Sequence, residues 1–361
     1  MPDRLDVAVL FGGRSAEHTV SLVSAAAVMG AMNRDKYNVI PVGITLEGRW
    51  LAGGDPLQAL QSGNIPGDCF YAAMLTDPLN PGIILLDRKE QGRAAGFIPL
   101  QAVFPVLHGP FGEDGCVQGL LELAGLPYVG AGVLSSAAAM DKVMMKMLFR
   151  QNGLPVGEFI NFTAHQWHNK ENELCNAVAE ELGYPCFVKP ANMGSSIGVS
   201  KAANQGELRT AVAEALRYDR KVLVEAFIPG REVECSVLGG DVEADASPPG
   251  EIIPANDFYD YRAKYEDQRS RLLIPAPLPG LTQLRLQQYA VQAFHAVECS
   301  GMGRVDFFYQ DETDQIIVNE INTIPGFTSI SMYPKLWEAG GIPFSSLIDR
   351  LIKIALERAN R

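Results

Sequence analysis

The chain has 361 residues, 47% of them hydrophobic, and a formal net charge of −12, with a mean hydropathy near zero. That length holds two or three cores at ~100–200 residues per domain, and the acidic balance with no Lys/Arg block argues against a nucleic-acid or anionic-membrane partner. No apolar run approaches the ~20 residues that span a bilayer. Met1-Pro-Asp-Arg-Leu-Asp lacks the charged-then-apolar layout of a signal peptide, so a cytoplasmic location is expected. The cysteines, at 69, 116, 175, 186, 235 and 299, are scattered without a Cys-x-x-Cys pair. They read as reduced, mostly buried thiols rather than a disulfide or zinc framework.

In chain order, Asp6 to Phe11 is a short apolar run ending at Gly12-Gly13, followed by a small-residue helix from about Val20 to Met32. Val39 to Ile44 and Ala102 to Leu107 are further strands, the second stopping at His108-Gly109. Strand, glycine turn, helix, strand is the pattern of an open parallel sheet with its working loops at the strand ends. Residues 53–96, rich in Gly and Pro, read as irregular loops with a few short strands. This first α/β domain is expected at 1–130. The middle reads as an α+β unit at 131–229. Its helices are expected at 142–152, 171–182 and 205–216, and its strands at 156–162, 185–190, near 199 and at 221–225. The last unit, 230–361, has strands at 232–238, 303–309 and 315–321 and helices at 282–298 and 343–359.

The two final strands carry the most chemistry. Arg304 and Asp306 are two apart and share a face, as do Glu320 and Asn322. Neighbouring strands would aim all four at one spot, and oxygen donors of this kind suit magnesium, a hard ion. A cross-strand salt bridge from Arg304 needs only one acid, and burying two with an amide costs stability, so the metal reading is preferred. Lys189-Pro-Ala-Asn-Met-Gly-Ser-Ser-Ile-Gly198 ends a strand on a lysine and turns through a Gly-Ser loop that can meet phosphate oxygens. It is not a Walker A loop.

Other segments leave alternatives open. Lys142, beside Asp141 on an expected helix, reads more readily as a solvated surface lysine. Val222 to Glu232 is either a strand edge for a base or a core strand entering a linker. Glu17, in the glycine turn before the first helix, complements the helix dipole or holds an ammonium. His108-Gly-Pro-Phe-Gly-Glu-Asp-Gly115 is a second strand-end loop, whose glycines imply close backbone approach. Asp257-Phe-Tyr-Asp-Tyr-Arg-Ala-Lys-Tyr265 is a lid or a surface loop. His165 and His168 read as surface residues.

Taken in order, these segments resemble the D-alanine–D-alanine ligases of the ATP-grasp superfamily. The resemblance rests on Gly12-Gly-x-Ser-x-Glu-His, Leu107-His-Gly-x-x-Gly-Glu-Asp-Gly, Asp141-Lys142, Lys189-Pro-x-x-x-Gly-Ser-Ser and Tyr259-Asp-Tyr-x-Ala-Lys-Tyr265. It continues through Gly303-Arg-x-Asp306 and Asn319-Glu-x-Asn-Thr-x-Pro-Gly-Phe-Thr-Ser-x-Ser331. It implies a three-domain α/β and α+β ATP-grasp fold that ligates two D-alanines through an acylphosphate for peptidoglycan precursors. ATP and two magnesium or manganese ions are the implied cofactors, and a homodimer is implied.

By the same resemblance, Lys142, Lys189, Ser196 and Lys264 would meet phosphate. Glu225, Ala226 and Ile228 would border adenine between Phe227, Phe258 and Phe308, and Glu232 would bind ribose. The family often has lysine where Ala226 stands, at a contact made largely by backbone. Glu17 would hold the first D-alanine's ammonium, with His108 near its carboxylate, and Ser331 and Met332 would receive the second carboxylate. Arg304 and the Gly326 N–H would form an oxyanion hole, and Glu17, Ser195 and Tyr265 would hydrogen-bond together. Asp306, Glu320 and Asn322 would be the metal ligands. Tyr265 favours an amine acceptor, since depsipeptide-forming relatives typically carry histidine there. A D-lactate or D-serine ligase of the same fold and a non-catalytic nucleotide-binding module are the alternatives.

Overall fold

In a computed structural model, residues 4–90, 92–240, 242–253, 271–328 and 330–360 are described. The first sheet comprises β1 (Leu5–Gly12), β2 (Tyr37–Ile44), β3 (Trp50–Ala52), β4 (Phe70–Leu75), β5 (Gly82–Leu86), β6 (Ala94–Pro99) and β7 (Ala102–Val106), in the order β6-β5-β4-β3-β2-β1-β7. The parallel pairings are β1 with β2 and β1 with β7. Val7 to Phe11 is completely buried, which is why that stretch reads as a continuous apolar run rather than an alternation. The expected open parallel sheet is therefore its centre, and β3 to β6 extend it antiparallel. β4, β5 and the start of β6 are the short strands of the stretch 53–96 that otherwise reads as loops. β4 is half-buried at every residue and β6 is mostly exposed, so neither shows the in/out alternation that marks a strand in sequence.

The second sheet is antiparallel: β8 (Phe159–Thr163), β9 (Cys186–Pro190), β10 (Ser200–Ala202) and β11 (Lys221–Ala226), ordered β10-β9-β11-β8. One face packs Val188, Val222 and Val224 on the helices Ala164–Ala177 and Gln205–Ala215 through Leu208 and Val212. The first of these helices begins seven residues before its expected start. Its opening turns are polar and exposed, and it is started by a capping box between Thr163 and Gln166. The other face of the sheet carries Phe187, Lys189, Leu223 and Glu225, set by the pairings Leu223 with Lys189 and Glu225 with Phe187.

The third sheet contains β12 (Arg231–Gly239), β13 (Ala244–Ala246), β14 (Gly250–Ile253), β15 (Arg271–Leu273), β16 (Gly301–Gln310) and β17 (Gln315–Asn322). Its path is β15-β14-β12-β16-β17, with β13 on β12. Val233, Cys235, Val305, Phe307 and Ile321 pack with Phe294 of the helix Gly280–Ala296. The terminal helix Phe344–Ala359 instead buries Leu347, Ile348, Leu351 and Ile352 in one core with Val7, Val9 and Phe104 of the first sheet. This ties the end of the chain to its beginning. None of the helices among the described residues is long and apolar enough to cross a membrane. His165 and His168 are exposed, and all six cysteines are free thiols.

Candidate functional site

The register of β16 and β17 sets the floor of the site. Arg304 pairs with Asn322 and Asp306 with Glu320, while Val305 and Ile321 pair on the opposite, core face. The burial of β16 alternates accordingly: Arg304, Asp306 and Phe308 are half-buried and Val305, Phe307 and Tyr309 buried. Between Asp306 and Phe307 the register slips, because Asp306 faces Glu320 but Phe307 faces Val318, leaving Asn319 as a bulge residue. From β12, Glu234 lies opposite Asp306.

The floor is tightly paired. The Arg304 guanidinium donates from Nε and Nη2 to the two Asp306 oxygens, both at 2.7 Å. Arg304 Nε also lies 3.0 Å from Glu234 Oε2, and Asn322 Nδ2 donates to Asp306 Oδ2 at 3.1 Å. Burial alone would lower the Arg304 pKa, but Asp306 and Glu234 raise it well above its ordinary value.

One wall comes from the second sheet and the helix Lys142–Gln151. Glu225 is 6% exposed. One carboxylate oxygen lies 2.7 Å from Lys146 Nζ and the other 2.5 Å from Lys189 Nζ. Burial would raise the Glu225 carboxyl, but the two ammoniums hold it well below the usual carboxylate range. Burial likewise opposes the Lys189 charge, which Glu225 and Glu320 restore and raise. Asp141 caps the helix by accepting from the N–H groups of Val143 and Met144. That starts the helix at Lys142, whose Nζ donates to Met193 O at 2.6 Å. Phe227 is half exposed beside Phe187, ring centroids 6.1 Å apart.

The opposite wall comes from the strand ends of the first sheet. β1 and β7 are parallel neighbours, so the turn after Gly12 and the loop after Val106 meet at one end of the sheet. Gly12 has φ +89°, and a Cβ there would stand 2.2 Å from Ile44 O, so the turn accepts only glycine. The buried Glu17 carboxylate accepts a short hydrogen bond from Ser195 Oγ of the Gly-Ser loop. That loop holds Ser195 and Ser196 at φ +49° and +58°, left-handed backbone for two non-glycine residues. His108 is buried between Ser24 Oγ, at 3.4 Å from Nε2, and Ile324 O, at 3.2 Å from Nδ1. Burial lowers its pKa against the pull of Glu17. Burial, then the charge of Glu17, pushes the neighbouring Glu113 up to about 8 although Gly109 N–H donates to it at 2.5 Å.

These walls enclose a cavity of about 540 Å³. Its lining includes Glu17, His108, Lys142, Lys189, Ser195, Ser196, Glu225, Ala226, Phe227, Ile228, Glu232, Arg304, Asp306, Phe308, Glu320, Asn322 and Gly326. Ser331 and Met332 do not line it. The Ser331 hydroxyl is engaged by Thr328, 2.7 Å away. The Met332 side chain is buried with Ile252 and Leu336. Ser331 nonetheless abuts the rim, since a Cβ on Gly326 would lie 2.8 Å from its Oγ, and it sits at the start of the helix Met332–Ala339. Phe258, Lys264 and Tyr265 fall outside the described residues.

Lys146, Glu234, Glu113 and Phe187 also line the cavity and were not anticipated. Three of them had a signal: Lys146 follows Lys142 by four residues, one helical turn, and Glu234 follows Glu232, as Lys189 follows Phe187, by two on a strand. Glu113 had no periodic signal.

Among the described residues, no three of His, Cys, Asp and Glu gather in a metal-binding arrangement. A metal here would draw on two carboxylates, an amide and substrate oxygens, which is the donor set of magnesium rather than zinc. The residues fit it in two respects. Asp306 accepts three hydrogen bonds, which leaves lone-pair capacity on a carboxylate with about four sites. Eight carboxylates against five Lys and Arg line the cavity among the described residues, so a polyphosphate would need added cations to enter it.

Sequence comparison agrees with this geometry. The family profile described as D-ala D-ala ligase N-terminus matches residues 6–131, and that described as D-ala D-ala ligase C-terminus matches 148–353. The D-alanine–D-alanine ligase of Natranaerobius thermophilus is 47% identical over 98% of this chain and 96% of its own length. That of Heliobacterium modesticaldum is 49% identical over 98% and 94%. Among solved structures, the VanG D-Ala:D-Ser ligase from Enterococcus faecalis superposes with a TM-score of 0.87 at 36% identity, covering 98% of this chain and 100% of its own. The D-alanine–D-alanine ligase from Coxiella burnetii gives 0.84 at 35%, covering 99% and 95%. The chain belongs to the D-alanine–D-alanine ligase family and has its ATP-grasp fold.

Proposed function

We propose that the protein joins two D-alanine molecules in the cytoplasm at the expense of ATP, supplying D-alanyl-D-alanine for peptidoglycan precursors. The observation that carries the reading is the pairing of Arg304 with Asn322 and Asp306 with Glu320. It sets a guanidinium and oxygen donors on the floor of a cavity walled by Lys142 and Lys189 on one side and by Glu17 and His108 on the other.

In this reading Glu225, Ala226 and Ile228 border adenine between Phe227 and Phe308, Glu232 takes the ribose, and Lys142, Lys189 and Ser196 meet the phosphates. Glu17 takes the ammonium of the first D-alanine beside His108. The carboxylate oxygen of that D-alanine attacks the γ-phosphorus of ATP, the bond to ADP breaks, and a D-alanyl phosphate forms. The amine of the second D-alanine attacks the acyl carbon, phosphate departs, and the amine loses a proton. Arg304 and the Gly326 N–H stabilise the tetrahedral oxyanion. Ser331 and the first turn of the Met332–Ala339 helix receive the second carboxylate as a helix N-terminus receives an anion. Asp306, Glu320 and Asn322 would hold two magnesium or manganese ions, which when bound neutralise phosphoryl charge. The bond from Ser195 to Glu17 joins the phosphate loop to the amino-acid wall and helps exclude water from the acylphosphate. We extend the proposal to a domain division at 1–130, 131–229 and 230–361, to a homodimer, and to Phe258, Lys264 and Tyr265 as lid residues.

The test is a product assay with ATP, Mg²⁺ and D-alanine, with D-serine and D-lactate as competing acceptors. D-alanine-dependent phosphate release with D-alanyl-D-alanine as the main product is expected. The acceptor is where a second reading has support, because a solved relative of this fold is named a D-Ala:D-Ser ligase. Faster turnover with D-serine or D-lactate at neutral pH would replace the present substrate assignment.

A further inference from the structure

The geometry points to Lys146 as a positioning residue that joins the base-binding end of the cavity to the metal-binding strand. The inference rests on the ligase reading above and adds a residue to it.

Lys146 is 2% exposed, a rare environment for an ammonium, which is costly to bury unless fully paired. It lies one turn after Lys142 on the same helix, and its ammonium is held by two partners. Its Nζ lies 2.7 Å from Glu225 Oε1 and donates to Asn319 O at 2.9 Å. The first partner is the carboxylate of Glu225, a residue proposed to border adenine. The second is the bulge residue of β17, passed over in the pairing with β16 and immediately before Glu320.

Bulges re-aim the side chains beside them, so the carbonyl at Asn319 governs the direction of Glu320. The preceding residue of the same helix supports the same place, since Ile321 N–H donates to Met145 Sδ at 3.4 Å. One ammonium thus ends a path from the second sheet and fastens the third. Lys189 pairs with the other Glu225 oxygen but comes from β9, and no bond from it to the bulge carbonyl is seen among the described residues. The two lysines around Glu225 therefore divide their work. Lys189 faces the phosphates, and Lys146 holds the base carboxylate and the bulge in register.

The test is steady-state kinetics of K146M in the full-length enzyme with ATP, free Mg²⁺ and D-alanine varied in turn. Loss of a charge-assisted bond is expected to raise KM for ATP about 10-fold. Loss of an outer support of a metal ligand is expected to raise the half-saturating free Mg²⁺ about 10-fold. KM for D-alanine stays within about 2-fold, a split that general loosening of the fold would not produce. K146Q separates the arms: an amide donates to the Asn319 carbonyl without ion-pairing to Glu225, so KM for ATP rises while the Mg²⁺ constant holds. A folded K146M with an unmoved Mg²⁺ constant overturns the inference. If K146M does not fold, an unmoved ATP constant in K146Q does so. A wild-type protein that releases no phosphate from ATP on adding D-alanine rejects the ligase reading itself, whereas an active wild type matched by K146M rejects only the role of Lys146.

Discussion

The two ends of the cavity bury carboxylates in opposite ways. At the base end Glu225 lies between Lys146 and Lys189, which hold it ionised far below its ordinary range. At the amino-acid end Glu113 lies beside Glu17, and burial pushes it up to about 8 while His108 is pushed down. The contrast fits what each end is proposed to receive. A nucleotide is positioned by fixed charges that change little during reaction, so buried ion pairs serve it despite their desolvation cost. An amino acid that must be bound, activated and released is served by a group, here Glu113, that titrates near neutral pH.

The sharpest way to break this contrast lies between the two ends. Glu320 faces Asp306 across the strands and adds to the charge that keeps Lys189 protonated. Glu320→Ala is expected to lower kcat by at least ~10³-fold, since it removes both a proposed metal ligand and part of the preorganised charge. Its fold should persist, because the side chain is only half-buried. Phosphate release and circular dichroism check the two halves of this prediction, and a folded variant with full activity would refute the metal assignment.

The floor was legible because a strand repeats every two residues. Arg304 with Asp306 and Glu320 with Asn322 announced a shared face, and the register agrees. The glycine turns after β1 and β7 were legible as strand ends for the same kind of reason. What escaped had a weak periodic signature or none. The bulge at Asn319 leaves the spacing of Glu320 and Asn322 intact and shows only in the offset of Phe307 against Val318. Lys146 looks in sequence like one more solvated helix lysine, and only the packing of its helix against β11 and β17 buries it. The strands β4 to β6 lack a fully buried face. Met332 was anticipated beside a substrate carboxylate, but its side chain is buried in an apolar cluster, so only its backbone N–H is suited to that role.

A smaller effect tests the charged end alone. Glu225→Gln leaves two buried ammoniums facing an amide and should destabilise the protein by about 2–4 kcal/mol at pH 7. Because the folded pKa of Glu225 lies below its unfolded value, its contribution is complete above the unfolded pKa near 4.5 and fades as pH falls toward the folded value. Denaturant unfolding should therefore show a constant gap between variant and wild type from pH 6 to 8 that narrows below about pH 4.5. A gap that stays constant to pH 3 would mean that charge pairing is not what Glu225 contributes.

The effect of opposite sign belongs to Glu113. Its folded pKa lies above its unfolded value, so burial favours its protonated form. That contribution is complete below about pH 4.5 and is lost as pH rises through about 8. Glu113→Gln keeps the shape and removes the titration, so the variant should gain on the wild type by up to about 3 kcal/mol between pH 5 and 8, where Glu225→Gln shows no such slope. The same substitution should flatten any change of kcat/KM for D-alanine centred near pH 8, because the group that titrates beside Glu17 is gone. A parallel pH dependence of stability in variant and wild type would place the ionisation elsewhere. It would also dissolve the contrast between the two ends, since both carboxylates would then be held as anions and the amino-acid wall would be a second site of fixed charge.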